Sequence, residues 1–193
     1  MPLATALALA AGSHAWFALE NATLTLPGSV IKPVGDATSY TTVQRTAKPA
    51  AADGAWVKLS GVMKAELQTD NGQGLEVWEP TPGGVELTDV LRVGRKRTFK
   101  ITAQRIQPIT LQLLLQTLAL NGSSAQFNPG EVPNEVAGWL KLQVYNHKNG
   151  LVLALEHYVE LILDGSLTLD PKAKTDPVYT ATGLYSVLNT GSL

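Results

Sequence analysis

The segment LVLALEHYVELIL, residues 151–163, alternates almost without interruption over thirteen residues, and no other stretch limits the fold so tightly. Leu151, Leu153, Leu155, Val159, Leu161 and Leu163 share one face, broken only by His157. Val152, Ala154, Glu156, Tyr158, Glu160 and Ile162 share the other. A period of two is a strand with one buried face and one partly wet face. Thirteen residues is long against an ordinary strand of about five or six, and long strands with a continuous wet face build barrel walls and rims. A single bend by a bulge near Glu156 is the alternative. The preceding Asn149-Gly150 turn signal and the WLKLQVY run at 139–145 complete a β-hairpin.

The rest of the chain extends the same pattern. Residues 56–69 read as one strand or two short ones with Gly61 as a bulge, DNGQG at 70–74 as a turn, and LEVWE at 75–79 as strand. In KRTFKITAQRI, 96–106, Phe99, Ile101 and Ala103 lie on one face, with Lys100, Thr102 and Gln104 on the other. Asp164-Gly165 turns the chain into 166–169, and 178–188 forms a last strand. This is an antiparallel β protein.

One helix interrupts it. Pro108 suits a first helical position, ITLQLLLQTLAL follows, and Asn121-Gly122 supplies the stop. At about 100° per residue its apolar side chains form two stripes. Leu111, Leu114, Leu115 and Leu118 make one, which suffices to pack a helix on its own sheet; Ile109, Leu113 and Leu120 lie nearly opposite. The second stripe therefore needs a cover, either a long loop or another copy of the chain, and Ile109, Leu113 and Leu120 are the candidate subunit-interface residues.

Two stretches lack the period of packed elements: 27–55, rich in Ala, Thr, Ser, Gly and Pro, and 122–138. A loop as long as 27–55 inside a compact domain is functional, disordered or an interaction arm. The Ala- and Leu-rich residues 1–20 resemble a secretory signal in their small-residue end, but no Lys or Arg precedes the apolar run. They read as an N-terminal arm, ahead of a single β-rich domain at 21–193.

Composition narrows the function. With 15 Lys and Arg against 16 Asp and Glu, the formal net charge of −1 excludes a strongly basic nucleic-acid binder and an acidic disordered tail. Charged residues make up 16% of the chain, against about a quarter in a typical soluble protein, which suggests that other subunits cover some of the surface. There is no cysteine, so no disulfide, thiolate zinc site or cysteine nucleophile can form. His14, His147 and His157 show no metal-ligand spacing, and no apolar run reaches the roughly 18 residues of a membrane span. Phosphate-loop, dinucleotide and nucleophile-elbow motifs are missing, and catalytic, cofactor and metal residues are assigned to none. Glu156 and Glu160 could pass for a glycosidase pair, but four residues along a strand puts them about 13 Å apart. His157 in an apolar row reads as a core histidine. The basic cluster of Arg92, Arg95, Lys96, Arg97, Lys100 and Arg105 reads as a solvated strand start, or as a partner for a neighbouring subunit's acids.

The order of these elements carries a resemblance. Trp56, Leu59 and Gly61 precede the acidic-aromatic EVWEPTPGG at 76–84, and RTFKITAQRIQPITLQLLL at 97–115 runs a basic strand straight into proline and a leucine helix. A long hairpin and a C-terminal strand follow. Over roughly Trp56 to Leu188 the chain is similar to the major tail tube proteins of long-tailed, siphovirus-type bacteriophages. It departs from that pattern at Gln107, where a stronger helix cap is usual, and in residues 1–20, which have no counterpart.

The resemblance implies two packed antiparallel β-sheets, sandwich- or barrel-like, flanked by one α-helix with long loops. It implies a structural subunit of the virion, assembled in the host cytoplasm into stacked hexameric rings that form a hollow conduit for DNA. The implied partners are other copies of the chain, a tape measure protein and terminator or baseplate proteins; no cofactor and no membrane are involved. Glu156 and Glu160 are then the candidate lumen-facing residues, since carboxylates repel phosphates and let DNA pass without specific binding. Residues 1–20 and 27–55 become connectors between rings. A baseplate or injection-needle protein of the same fold is one alternative. A second is a β-sandwich module binding carbohydrate or a host surface, with Trp16, Trp56, Trp78 and Trp139 as platforms. A third, a carboxylate hydrolase, needs two acids converging in a pocket.

Overall fold

A computed structural model describes residues 10–70, 72–94, 96–115, 135–146, 148–164 and 176–192. Nine strands run in the order β1 (Ala10–Leu19), β2 (Val57–Asp70), β3 (Gln73–Thr81), β4 (Gly84–Val93), β5 (Lys96–Ala103), β6 (Glu135–Asn146), β7 (Leu151–Leu163), β8 (Val178–Gly183) and β9 (Thr190–Ser192). The described helix, α1, covers Pro108–Leu115 between β5 and β6. Every described strand pairing is antiparallel.

Of the sandwich- or barrel-like arrangement expected from the resemblance, the described strands form the barrel. Strands β6-β1-β2-β5-β8-β7 follow one another in a single sheet, and β6 also pairs with β7, closing a six-stranded barrel. β9 adds to the free end of the same β7 edge, and β3 with β4 makes a separate two-stranded sheet. Residues 10–19, assigned to an arm, are a barrel wall: β1 lies between β2 and β6, with Phe17 opposite Leu140 and Trp16 opposite Lys141. The small side chains that make this segment look like a signal are what the packing uses. Ala15 and Ala18 are fully buried, and a Cβ on the facing Gly138 would come within 2.3 Å of the Ala18 carbonyl oxygen.

The barrel is filled. Phe17, Leu59, Phe99, Ile101, Leu140, Val159, Leu161 and Tyr179 form its core. The alternation read in β5 and β7 holds, with the 155/159/161 face of β7 turned inward. Gly61 pairs regularly with His14, and the irregularities of β2 flank it, at 59–60 against β1 and at Met63 against β5. At the β6–β7 turn, Asn149 takes a positive φ of 57°, and the Asn146 Oδ1 accepts the amides of Lys148 and Gly150 at 2.9 Å each.

Helix α1 turns Ile109 and Leu113 into the barrel. Ile109 and Leu113, assigned to a neighbouring subunit, are buried in the chain's own barrel core, and Leu120 lies outside the described residues. The cause is local: Thr110, about 60° round the helix from Leu113, is fully buried and its hydroxyl hydrogen-bonds the Tyr179 hydroxyl inside the barrel. The same hydroxyl accepts the Gln107 amide at 3.0 Å, so Thr110 supplies the capping contact that Gln107 does not.

The long loop is also part of the fold. From Glu20 to Trp56 the chain lies against the outer face of β1, β6 and β7 and builds a second core from Leu24, Val43, Ala55, Ala18, Trp139 and Tyr158. Isolated bridges (Thr23–Thr42, Ile31–Lys48, Gln44–Ala47) brace it, and Trp139 donates its indole N–H to the Gln44 carbonyl at 2.9 Å. Its knot is Asp53, which accepts the amides of Thr25 (3.2 Å), Leu26 (2.9 Å) and Ala55 (2.8 Å) and the Thr25 hydroxyl (3.1 Å). Burial works to raise the Asp53 pKa, but these donors outweigh it and hold the carboxyl below its ordinary value.

Candidate functional site

Two surfaces concentrate what the packing leaves over. The first is the β3–β4 hairpin. It continues outward from the base set by Asp70 opposite Lys96, and among the described strands β3 and β4 pair with each other alone. Beyond a bulge at Thr88, Trp78 faces Leu87 and Pro80 faces Val85. Trp78, Val85 and Leu87 are 52%, 63% and 46% exposed, grouped on one face of one ribbon. Glu76 accepts the Trp78 indole N–H at 3.1 Å, and Glu76 and Glu79 are exposed beside it. Large apolar side chains scattered singly on a surface need no explanation, whereas such a cluster on a projecting element does.

The second surface lies where β8 leaves the edge of β7. Leu184 still donates its amide to the Tyr158 carbonyl at 2.8 Å, then 185–188 loop outward and β9 returns to the same edge at Thr190. Asn189 fills the gap with its side chain: its Oδ1 accepts the Tyr158 amide and its Nδ2 donates to the Leu184 carbonyl, both at 2.9 Å. The strand read over 178–188 thus stops at Gly183, and a separate strand follows the excursion at 190–192. Beside it opens a cleft of about 340 Å³, bordered by Arg97, His157, Gly183, Tyr185 and Ser186. His157 is buried on the inward face of β7, its ring 5.4 Å from Phe99. Burial, with Arg97 and Lys48 nearby, lowers its pKa. Arg97 is exposed and forms no ion pair among the described residues, while the Arg45 guanidinium donates to the Tyr185 carbonyl.

The other residues singled out in the sequence fall elsewhere. Glu156 is on the outer face of β7, but its carboxylate is held by Lys48 at 2.6 Å, with Lys141 at 3.9 Å, beneath the long loop. Lys48 is almost wholly buried and also sits 5.6 Å from the Trp139 ring. Glu160, half-buried, lies between Ala137 and Thr182 in register. The two carboxylates do not converge on a pocket, and no group of three or more His, Asp and Glu gathers among the described residues. Of the basic cluster, Lys96 stands opposite Asp70 and Lys100 pairs with Asp164 at 3.0 Å. Trp16 and Trp56 are half-buried, and each carries the Lys141 ammonium 5.6 Å from its ring, with Lys58 also over Trp16. Their faces are occupied by lysines rather than open to a sugar. Trp139 is buried, and Trp78 alone of the four is exposed.

No protein-family model matches this chain, and no curated protein matches it. Among solved structures it is similar to a chain described as the tail of an empty GTA particle, computed with helical refinement and C6 symmetry. That likeness has 12% identity and a TM-score of 0.38, covering 71% of this chain and 87% of the other, too slight to fix a shared fold. No described helix is long and apolar enough to cross a membrane.

Proposed function

We propose that the chain is a self-assembling structural subunit of a phage-type tail tube, with no catalytic role. The observation that carries this reading is the β3–β4 hairpin, which projects Trp78, Val85 and Leu87 from a barrel whose own core is complete. A folded chain that keeps an apolar ribbon outside its core has it for a partner. The sequence resemblance supplies the kind of partner: further copies of the same chain, in rings of six stacked into a hollow conduit for DNA, within a virion that also holds a tape measure protein and terminator or baseplate proteins. Of the two carboxylates read as lumen-facing, Glu156 is engaged by Lys48, which leaves Glu160 for that wall.

The test is negative-stain electron microscopy with sedimentation across a concentration series. Rings or hollow filaments are expected from the wild-type chain. Trp78→Ser with Leu87→Ser is expected to abolish them without lowering the unfolding midpoint. A particle of monomer mass at every concentration would overturn the reading.

A further inference from the structure

The hairpin and the cleft are opposite in charge and alike in apolar character. Residues 73–93 contain Glu76, Glu79, Glu86 and Asp89 against one cation, Arg92. Residues 177–193 contain no Asp or Glu at all. The cleft instead presents Arg97, without an ion-pair partner among the described residues, and the Arg45 guanidinium donates to the backbone of its lining residue Tyr185. Tyr185 and Val187, 74% and 61% exposed, stand on the excursion beside it. We infer that the cleft receives the β3–β4 hairpin tip of a second copy of this chain, with Trp78 and Leu87 against Tyr185 and Glu79 directed to Arg97.

The inference rests on the self-assembly reading and names the socket for its plug. Complementary charge would set the register of docking and exclude other partners, while the desolvated aromatic pair would supply most of the affinity. The hairpin cannot fill its own cleft. Arg97 lies at the hairpin's base, four residues after Val93, whereas the tip is nine paired residues out, about 30 Å along a ribbon. Plug and socket are different surfaces of one chain, so the contact is heterologous and propagates into a ring or a filament.

Two double variants test this by sedimentation. The plug variant carries Trp78→Ser and Leu87→Ser; the socket variant carries Arg97→Glu and Tyr185→Ser. Each alone is expected to stay monomeric at about ten times the concentration at which the wild type assembles. Mixed in equal amounts they retain one live plug and one live socket per pair, so a 1:1 dimer that does not grow is expected. Tyr185→Ser alone, at a largely exposed side chain, replaces the socket variant if the latter does not fold. A socket variant that assembles as the wild type does, or a mixture that yields no dimer, overturns the cleft as receptor and leaves self-assembly standing. A wild type that never assembles removes both.

Discussion

Lys48 Nζ lies 2.6 Å from Glu156 Oε2, and this contact ties the 20–56 segment to the middle of β7. The ammonium also approaches the Leu188 carbonyl and the Thr190 hydroxyl, each at 3.4 Å, so the long loop, the barrel wall and the C-terminal strand meet at one charge.

Breaking that meeting point leaves a buried ion without its partner. Glu156→Gln is expected to cost about 3 kcal/mol, because Lys48 stays charged and enclosed. Lys48→Met should cost less, since Glu156 is partly exposed and retains Lys141 nearby. The double variant should lose less than the two single losses added together. Urea unfolding midpoints of the four proteins check this.

Asp53 gives a second handle on the same loop. Asp53→Ala strands three amides and a hydroxyl in a buried site, and a loss of about 3 kcal/mol is expected. Its folded pKa is below its unfolded value, so its contribution is complete above the unfolded value of about 4 and is lost as pH falls through the folded one. Below pH 4 the wild type should therefore destabilise faster than Asp53→Asn, as read from thermal midpoints.

Two glycines of the barrel wall have opposite expected outcomes. Gly138→Ala drives a Cβ into the Ala18 carbonyl and the Phe17 ring, neither free to move, and should cost about 3 kcal/mol or prevent folding. Gly61→Ala meets only the Gln104 amide, the far end of a flexible and exposed side chain, and should change stability by less than about 1 kcal/mol. Chemical denaturation of both variants decides it.

His157 makes stability fall on mild acidification. Its folded pKa lies below the ordinary imidazole value, so between the two the unfolded chain takes up a proton that the folded chain refuses. Stability should drop as pH falls from about 6.5, and His157→Gln should flatten that slope in part. His14, whose pKa is lowered by burial and by Lys58, keeps the remainder.

The strands that were legible in the sequence are those in which each face meets one environment. β5 and β7 alternate because their inward faces meet a mainly apolar core and their outer faces meet water or a loop. β1 was hidden because it is covered on both sides, by the barrel core at Phe17 and by the loop core at Ala18, and small residues there resemble a signal or an arm. The second core left no period in 20–56, since Leu24, Val43 and Ala55 come together only by folding over Trp139. The burial of Ile109 and Leu113 within the chain itself is not legible, because a buried threonine is read as polar until Tyr179 appears beside it. The cleft is built from backbone departures at Leu184 and the Asn189 side chain, for which residue types give no warning. The hairpin's exposed tip was within reach: Trp78 beside prolines and glycines, with acids on either side, is a poor core strand and a good handle.

Closure of the barrel through β6 and β7 has a thermodynamic corollary. The six wall strands close into a ring within a single chain, so the barrel needs no neighbour's strand to close it. Growth of an assembly is then the docking of finished bodies, and two equilibria that are fused in obligate oligomers come apart. The denaturant midpoint of the monomer should not move with protein concentration, while the onset of assembly should depend on it steeply.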